Sequence, residues 1–323
     1  MTIPVVDIHA HFSPPTTQDQ REALWKLMHS AHILTSEPPH WTPEATLDVM
    51  DRTGVAMQIL SSVPPSREAL RAFNDYGATL VAEHPTRFGL LAALPTDDPD
   101  ACLTEISRAD GELGADGFAV LAEYHGVWLG DARLEPVWAA LDRRGATVFV
   151  HPNPFAPPTL SRPSILLDVA LETARSVTDL LYAGVLRRHP RVRLVIAHCG
   201  GALPALAGRL LTLGTETWVP NPNQLTRDEL RTQLAGLYLD TAASGEPQPL
   251  AAALAMTSAD HLIYGSDWGA PCTTETTMQA TRHGLANTPL LTDVQRETIW
   301  RNALNLLPTA AKRVAEQQTP HTA

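Results

Sequence analysis

A chain of 323 residues exceeds the usual single domain, which leaves two domains or one large α/β barrel. Hydrophobic residues make up 44% of it, enough for a sizeable core and incompatible with a wholly disordered chain. The formal charge of −11, with the 24 basic residues scattered, offers a phosphate backbone no basic stripe and argues against nucleic-acid binding.

The N-terminal MTIPVVDIHAHF has neither a basic leader nor a signal-peptide core. No apolar stretch approaches the roughly 18 residues of a membrane span. Cys102, Cys199 and Cys272 form no CxxC pair, and their odd number suits a reducing compartment. The expectation is a cytoplasmic α/β protein.

The first predicted strand, Ile3–Ile8, runs into His9-Ala10-His11. Residues i and i+2 of a strand share a face, so both imidazoles can address one ion. A proline-rich insertion, Phe12 to Trp41, follows, with a helical piece around Gln20–His29. Placed after a first barrel strand, it would lie over the barrel mouth as a lid. Its His29, His32 and His40 are read as solvated lid residues.

Further β-branched runs are Val55–Ser61, Phe88–Leu94, Gly117–Leu121, Thr147–Val150, Arg193–Ala197, Leu237–Asp240 and Leu262–Tyr264, making eight with the first. Helical patterns separate them at Thr42–Thr53, Arg67–Glu83, Ala132–Arg144, Leu167–Arg188, Ala202–Leu213 and Glu246–Met256. Strand–helix alternation with eight units predicts a single (β/α)8 TIM barrel over residues 1–310, with a frayed polar tail at 311–323. No GxGxxG opens the first helix, which argues against a doubly wound sheet.

Three later strands also end in metal-competent residues: His151, His198 and Asp267. An isolated strand-end histidine is ordinarily structural. Four histidines and one aspartate at the ends of strands one, five, six and eight lie where barrel active sites assemble, and together they predict a metal site. Imidazoles with one carboxylate suit a borderline divalent ion, zinc first, with manganese, iron and cobalt left open. The predicted ligands are His9, His11, His151 and Asp267, leaving His198 as acid/base or electrophile. Cys199 is expected to point away from the site by strand alternation. His84 and His189 precede prolines near helix ends and read as structural, and His261 and His283 carry no functional signal.

The segments DIHAHF, WTPEATLDVMDRTGVAMQILS, WLGDARLEPVWAAL, VFVHPNP, LVIAHCGGALPALAGR and LIYGSDWGAP, spanning about Val5 to Leu307, resemble the amidohydrolase superfamily. Within it they are similar to the branch holding aminocarboxymuconate semialdehyde, γ-resorcylate and 6-methylsalicylate decarboxylases. The resemblance implies metal ligation by His9, His11, His151 and Asp267, with His198 unligated and catalytic beside Asp267. No lysine stands at the end of the fourth strand, FAVLAEYHG, which implies one metal. Arg209 matches an arginine that reaches the neighbouring subunit's site to bind a carboxylate, so a homodimer is expected. On a helix leaving the sixth strand, Arg209 would sit about 16 Å along the axis at ~1.5 Å per residue. Ala45–Val49 lacks the arginine found there in the semialdehyde enzyme, which favours a monocarboxylated aromatic substrate over a dicarboxylate. His125 and Trp268 are the further candidate substrate contacts.

The implied function is a decarboxylase of a small salicylate-type or unsaturated acid, with no organic cofactor. A metal-dependent hydrolase of a lactone, ester or amide is the alternative. A non-catalytic metal-binding protein would leave His198 without a role.

Overall fold

The eight β-branched runs pair as one parallel sheet in the computed structural model, which describes residues 4–154, 158 and 160–318. The barrel strands are β1 (Val5–Ala10), β2 (Val55–Leu60), β3 (Phe88–Ala93) and β4 (Gly117–Leu121). A small hairpin, β5 (Glu123–Tyr124) and β6 (Val127–Trp128), intervenes before β7 (Thr147–His151), β8 (Arg193–Ile196), β9 (Tyr238–Asp240) and β10 (Leu262–Ile263). Neighbours run in the order β1-β2-β3-β4-β7-β8-β9-β10. Ile8 N–H donating to the Tyr264 carbonyl (3.0 Å) and Asp267 N–H to the His9 carbonyl (2.9 Å) close the ring. This is the expected (β/α)8 barrel. Ile3, placed in the first strand from the sequence, lies outside the described residues.

Thirteen α-helices accompany the described strands. The first half carries α1 (Gln18–Ser30), α2 (Pro43–Thr53), α3 (Arg67–Glu83), α4 (Pro99–Arg108) and α5 (Glu135–Arg144). The second carries α6 (Ser164–Tyr182), α7 (Val185–Arg188), α8 (Leu203–Leu213), α9 (Arg227–Ala235), α10 (Pro247–Met256) and α11 (Glu275–Asn287). The chain finishes with α12 (Asp293–Leu306) and α13 (Pro308–Gln318). One continuous helix was expected over 167–188, but Gly184 at φ 71° breaks it between α6 and α7. Helix starts follow local chemistry: Thr42 caps α2 by accepting from Ala45 N–H, with Pro43 and Glu44 in the first turn. None of these helices is long and apolar enough to cross a membrane.

Two apolar clusters divide the molecule. Strand side chains such as Leu90, Val120, Val150 and Ile196 pack with the helices, while Ile8, Ile59, Leu91, Phe149 and Ile263 belong to a second cluster shared with α12 and α13. The second cluster corrects the frayed tail expected from residue 311. Val314 is buried in it, and Arg313 pairs with Asp116 at 2.8 Å and donates to the Pro85 carbonyl beside β3. An apolar residue at helical spacing from Ala310 anchors this otherwise polar segment. Residues 319–323 lie outside the described residues.

Candidate metal centre

The C-terminal strand ends gather the predicted ligands. His9 on β1 is fully buried, and its Nδ1–H donates to Asp240 Oδ2 at the end of β9 (2.8 Å). That bond fixes the tautomer and turns the Nε2 lone pair toward the other strand ends. His151 on β7 is held the same way, its Nδ1–H donating to the Pro152 carbonyl at 2.7 Å. Its buried Nε2 has no hydrogen-bond partner. A buried acceptor left bare is costly unless something binds it.

His9 Nε2 lies 3.1 Å from His11 Nε2 and 3.3 Å from Asp267 Oδ1, and His11 Nε2 lies 3.1 Å from Asp267 Oδ1. Atoms bound about 2.0–2.2 Å from one ion at near-tetrahedral to right angles stand roughly 3.0–3.5 Å apart, so these three form one face of a coordination shell. Donor atoms of His9, His151, His198 and Asp267 all fall within 4.8 Å of one another. The side chains fit a divalent cation.

Electrostatics agree with a shared charge. Burial alone would raise the Asp267 carboxyl, but hydrogen bonds from His11 and His9 outweigh it and hold the group well below the usual range. Burial opposes protonation of His9, yet Asp240 and Asp267 raise it to about 10, so these carboxylates favour a positive charge at Nε2 that either a proton or a cation in its place supplies. Burial depresses His151 far below the ordinary imidazole value, with the neighbouring histidines adding to the effect.

Left-handed backbone at His198 (φ 54°), Cys199 (φ 56°) and Asp267 (φ 61°) turns these strand ends sharply into the site. His198 N–H donates to Asp240 Oδ1 (2.9 Å), and its Nε2 is 4.0 Å from Asp267 Oδ2. His198 therefore stands within the cluster, beside the far oxygen of the aspartate. Cys199 does point away, but through this turn rather than by strand alternation. It packs toward the Pro249 carbonyl, and burial pushes its thiol up to about 12, against a nucleophilic role.

Sequence reasoning missed three supporting residues. Asp240 was legible only as the last residue of an apolar run. Buried Asp7 accepts from His9 N–H (3.1 Å), Gln58 Nε2 (3.0 Å), Ser266 N–H (2.9 Å) and Ser266 Oγ (2.5 Å), tying β1 to the turn that carries Asp267. Thr273 Oγ1 donates to Asp267 Oδ2 at 2.8 Å.

The three candidate substrate contacts have different surroundings. His125 is half exposed and stacks on Tyr124, with Asp97 at 3.0 Å from its Nδ1. Trp268 bridges backbone to Ala10 and donates its indole N–H to Thr46 Oγ1 on α2 (3.3 Å), so α2 fixes its ring. Arg209 lines a surface groove between α6 and α8 with Tyr182, Leu206 and Trp218. α8 begins at Leu203, so Arg209 is about 9 Å along its axis; the ~16 Å expectation counted the non-helical turn from His198 as helix. In the insertion, His29 is held locally by the Thr35 carbonyl at 2.9 Å. His189 meets Glu135 at 2.9 Å, a structural contact as expected.

The family model described as amidohydrolase matches residues 6–309. The chain belongs to the amidohydrolase family. Among curated relatives of this amidohydrolase, the 6-methylsalicylic acid decarboxylase of Aspergillus aculeatus is 32% identical, covering 94% of this chain and 96% of the relative. The 6-methylsalicylic acid decarboxylase of Penicillium expansum is 31% identical over 81% of this chain and 84% of its own. In fold, the amidohydrolase is similar to a dihydroxybenzoic acid decarboxylase from Polaromonas, solved with bound manganese and 2-nitroresorcinol. The TM-score is 0.76 at 23% identity, covering 95% of this chain and 97% of that one.

Proposed function

We propose that this amidohydrolase decarboxylates a small salicylate-type aromatic acid at a single divalent-metal centre, with His9, His11, His151 and Asp267 as ligands and zinc as the ion. The observation that carries the reading is the buried, unpartnered His151 Nε2 beside the His9–His11–Asp267 face. The 6-methylsalicylic acid decarboxylase of Aspergillus aculeatus, which the chain matches almost end to end, supports the substrate class. Zinc is preferred for the imidazole-rich donors, and the manganese in the Polaromonas enzyme marks the main competitor.

Direct loss of carbon dioxide from an aromatic ring leaves an in-plane carbanion that the π system cannot stabilise. Protonation of the carboxylate-bearing carbon avoids it, and an ortho hydroxyl feeds electron density to that carbon. The carbon–carboxylate bonding pair then returns to the ring as carbon dioxide departs. A divalent ion held by His9, His11, His151 and Asp267 would supply positive charge to offset that of the substrate's carboxylate and phenolate. Asp267 Oδ2, facing away from His9 and His11, takes the proton that the substrate's ortho hydroxyl gives up on becoming a phenolate and passes it to the ring carbon, and His198 orients the substrate and stabilises developing charge. His125 and Trp268 are the further substrate contacts in this reading.

Arg209 meets the substrate carboxylate of a second subunit in a two-fold homodimer. The groove around it supports this: Leu206 and Trp218 are exposed there, and Leu166 and Leu167 are exposed at the start of α6. The free cysteines Cys102, Cys199 and Cys272 suit the cytoplasm.

The test is a screen of metal-loaded protein against hydroxylated benzoates and aromatic lactones in D2O, following carbon dioxide and the product's proton spectrum. One deuteron at the carbon that lost its carboxylate is expected. Lactone opening without carbon dioxide release would replace the reading with hydrolysis.

A further inference from the structure

The two oxygens of Asp267 have different surroundings. Oδ1 faces His11 and His9 at 3.1 and 3.3 Å, while Oδ2 receives the Thr273 hydroxyl at 2.8 Å and faces His198 Nε2 at 4.0 Å. Asp267 itself stands in left-handed backbone, so its side-chain direction needs outside support.

The connecting loop delivers Thr273 to that place. Gly269, at φ +88°, passes so close to the His11 carbonyl that a Cβ would collide with that oxygen. Thr273 N–H then bonds the Ala270 carbonyl at 3.0 Å, curling the chain back under Asp267. The next residue, Thr274, caps α11 through a capping box with Thr277. Thr273 is thus held between a tight turn and a helix start, a rigid mount for one hydroxyl.

We propose that Thr273 is a positioning residue that pins Asp267 Oδ2, presenting Oδ1 to the metal and keeping Oδ2 as the proton-carrying oxygen beside His198. The inference rests on the decarboxylase reading for its catalytic consequence and on the geometry alone for its effect at the metal. A hydroxyl suits both states of Oδ2: it donates to the carboxylate and can rotate to accept from the carboxylic acid. Without it, Oδ2 is free to turn onto the ion, and the proton carrier is lost from its place.

The test compares wild type with Thr273→Val, Thr273→Ala and Thr273→Ser. Each is loaded with cobalt(II) for its visible spectrum, checked for thermal unfolding, and assayed for kcat and KM on salicylates. Val and Ala should retain one ion but show an altered cobalt spectrum. Their kcat should fall roughly 10- to 100-fold, the range for a lost hydrogen bond to a charged group, with KM little changed. Ser should restore both readouts. A wild-type spectrum and kcat in folded Val or Ala variants would overturn the proposal, as would a folded Ser variant resembling Val. If wild type releases no carbon dioxide from any acid, the decarboxylase reading fails, and the cobalt spectra still decide whether Thr273 holds Asp267.

Discussion

Asp240 accepts a hydrogen bond from His9 Nδ1–H on one oxygen at 2.8 Å and from the backbone N–H of His198 on the other at 2.9 Å. One carboxylate thus orients His9, a proposed metal ligand, and holds the turn that carries His198, the proposed acid/base residue. Partners of this kind typically contribute 10- to 100-fold to metal affinity.

Asp240→Asn should therefore weaken metal binding by about 10- to 100-fold. Competition with a chelator at fixed pH measures the change. Unaltered affinity would mean that Asp240 serves the backbone turns alone.

His11→Ala should lose both ion and turnover, because His11 supplies one corner of the His9–His11–Asp267 face. His198→Ala should keep the ion and lose roughly 10²–10⁴-fold in turnover. Elemental analysis of the two variants separates ligand from acid/base. Metal loss from the His198 variant would place it among the ligands, where its proximity to His9, His151 and Asp267 also allows it.

These roles were legible in the sequence to different depths. His9, His11, His151, His198 and Asp267 stand out because each ends an apolar strand, and a parallel barrel brings all such ends to one rim. Asp240 ends a strand too, but a single acid after Tyr238-Leu239 has no spacing that marks it. Asp7 and Thr273 act across 259 and 6 residues through turns whose left-handed backbone no periodicity predicts. At the other end of the barrel, one apolar side chain, Val314, outweighs the polar composition that suggested a loose tail.

Glu172 on α6 supplies a pH dependence away from the metal. Burial pushes its carboxyl up to about 7 against the hydrogen bond from Asn153 N–H, with Glu123 raising it and Arg175 lowering it. A folded-state value above the unfolded value of ~4.3 means stability is fullest below that lower value and declines as pH rises through 7. Thermal unfolding midpoints between pH 4.5 and 7.5 should fall more in wild type than in Glu172→Gln. Parallel curves would show that Glu172 ionises without cost.

Arg209→Ala and His198→Ala should each be inactive and should complement when mixed. In hybrid dimers one site carries both defects and the other neither, so activity returns on subunit exchange. Absence of recovery after demonstrated exchange would confine Arg209 to its own chain or remove it from the site.

The most direct measurement titrates metal-free protein with zinc or manganese and follows carbon dioxide released from a hydroxylated benzoate that the enzyme accepts. The metal-free protein should be inactive, and release should rise to a plateau at one ion per chain. Carbon dioxide release from protein proven free of metal, or a plateau only at two ions per chain, would contradict a single centre built on His9, His11, His151 and Asp267.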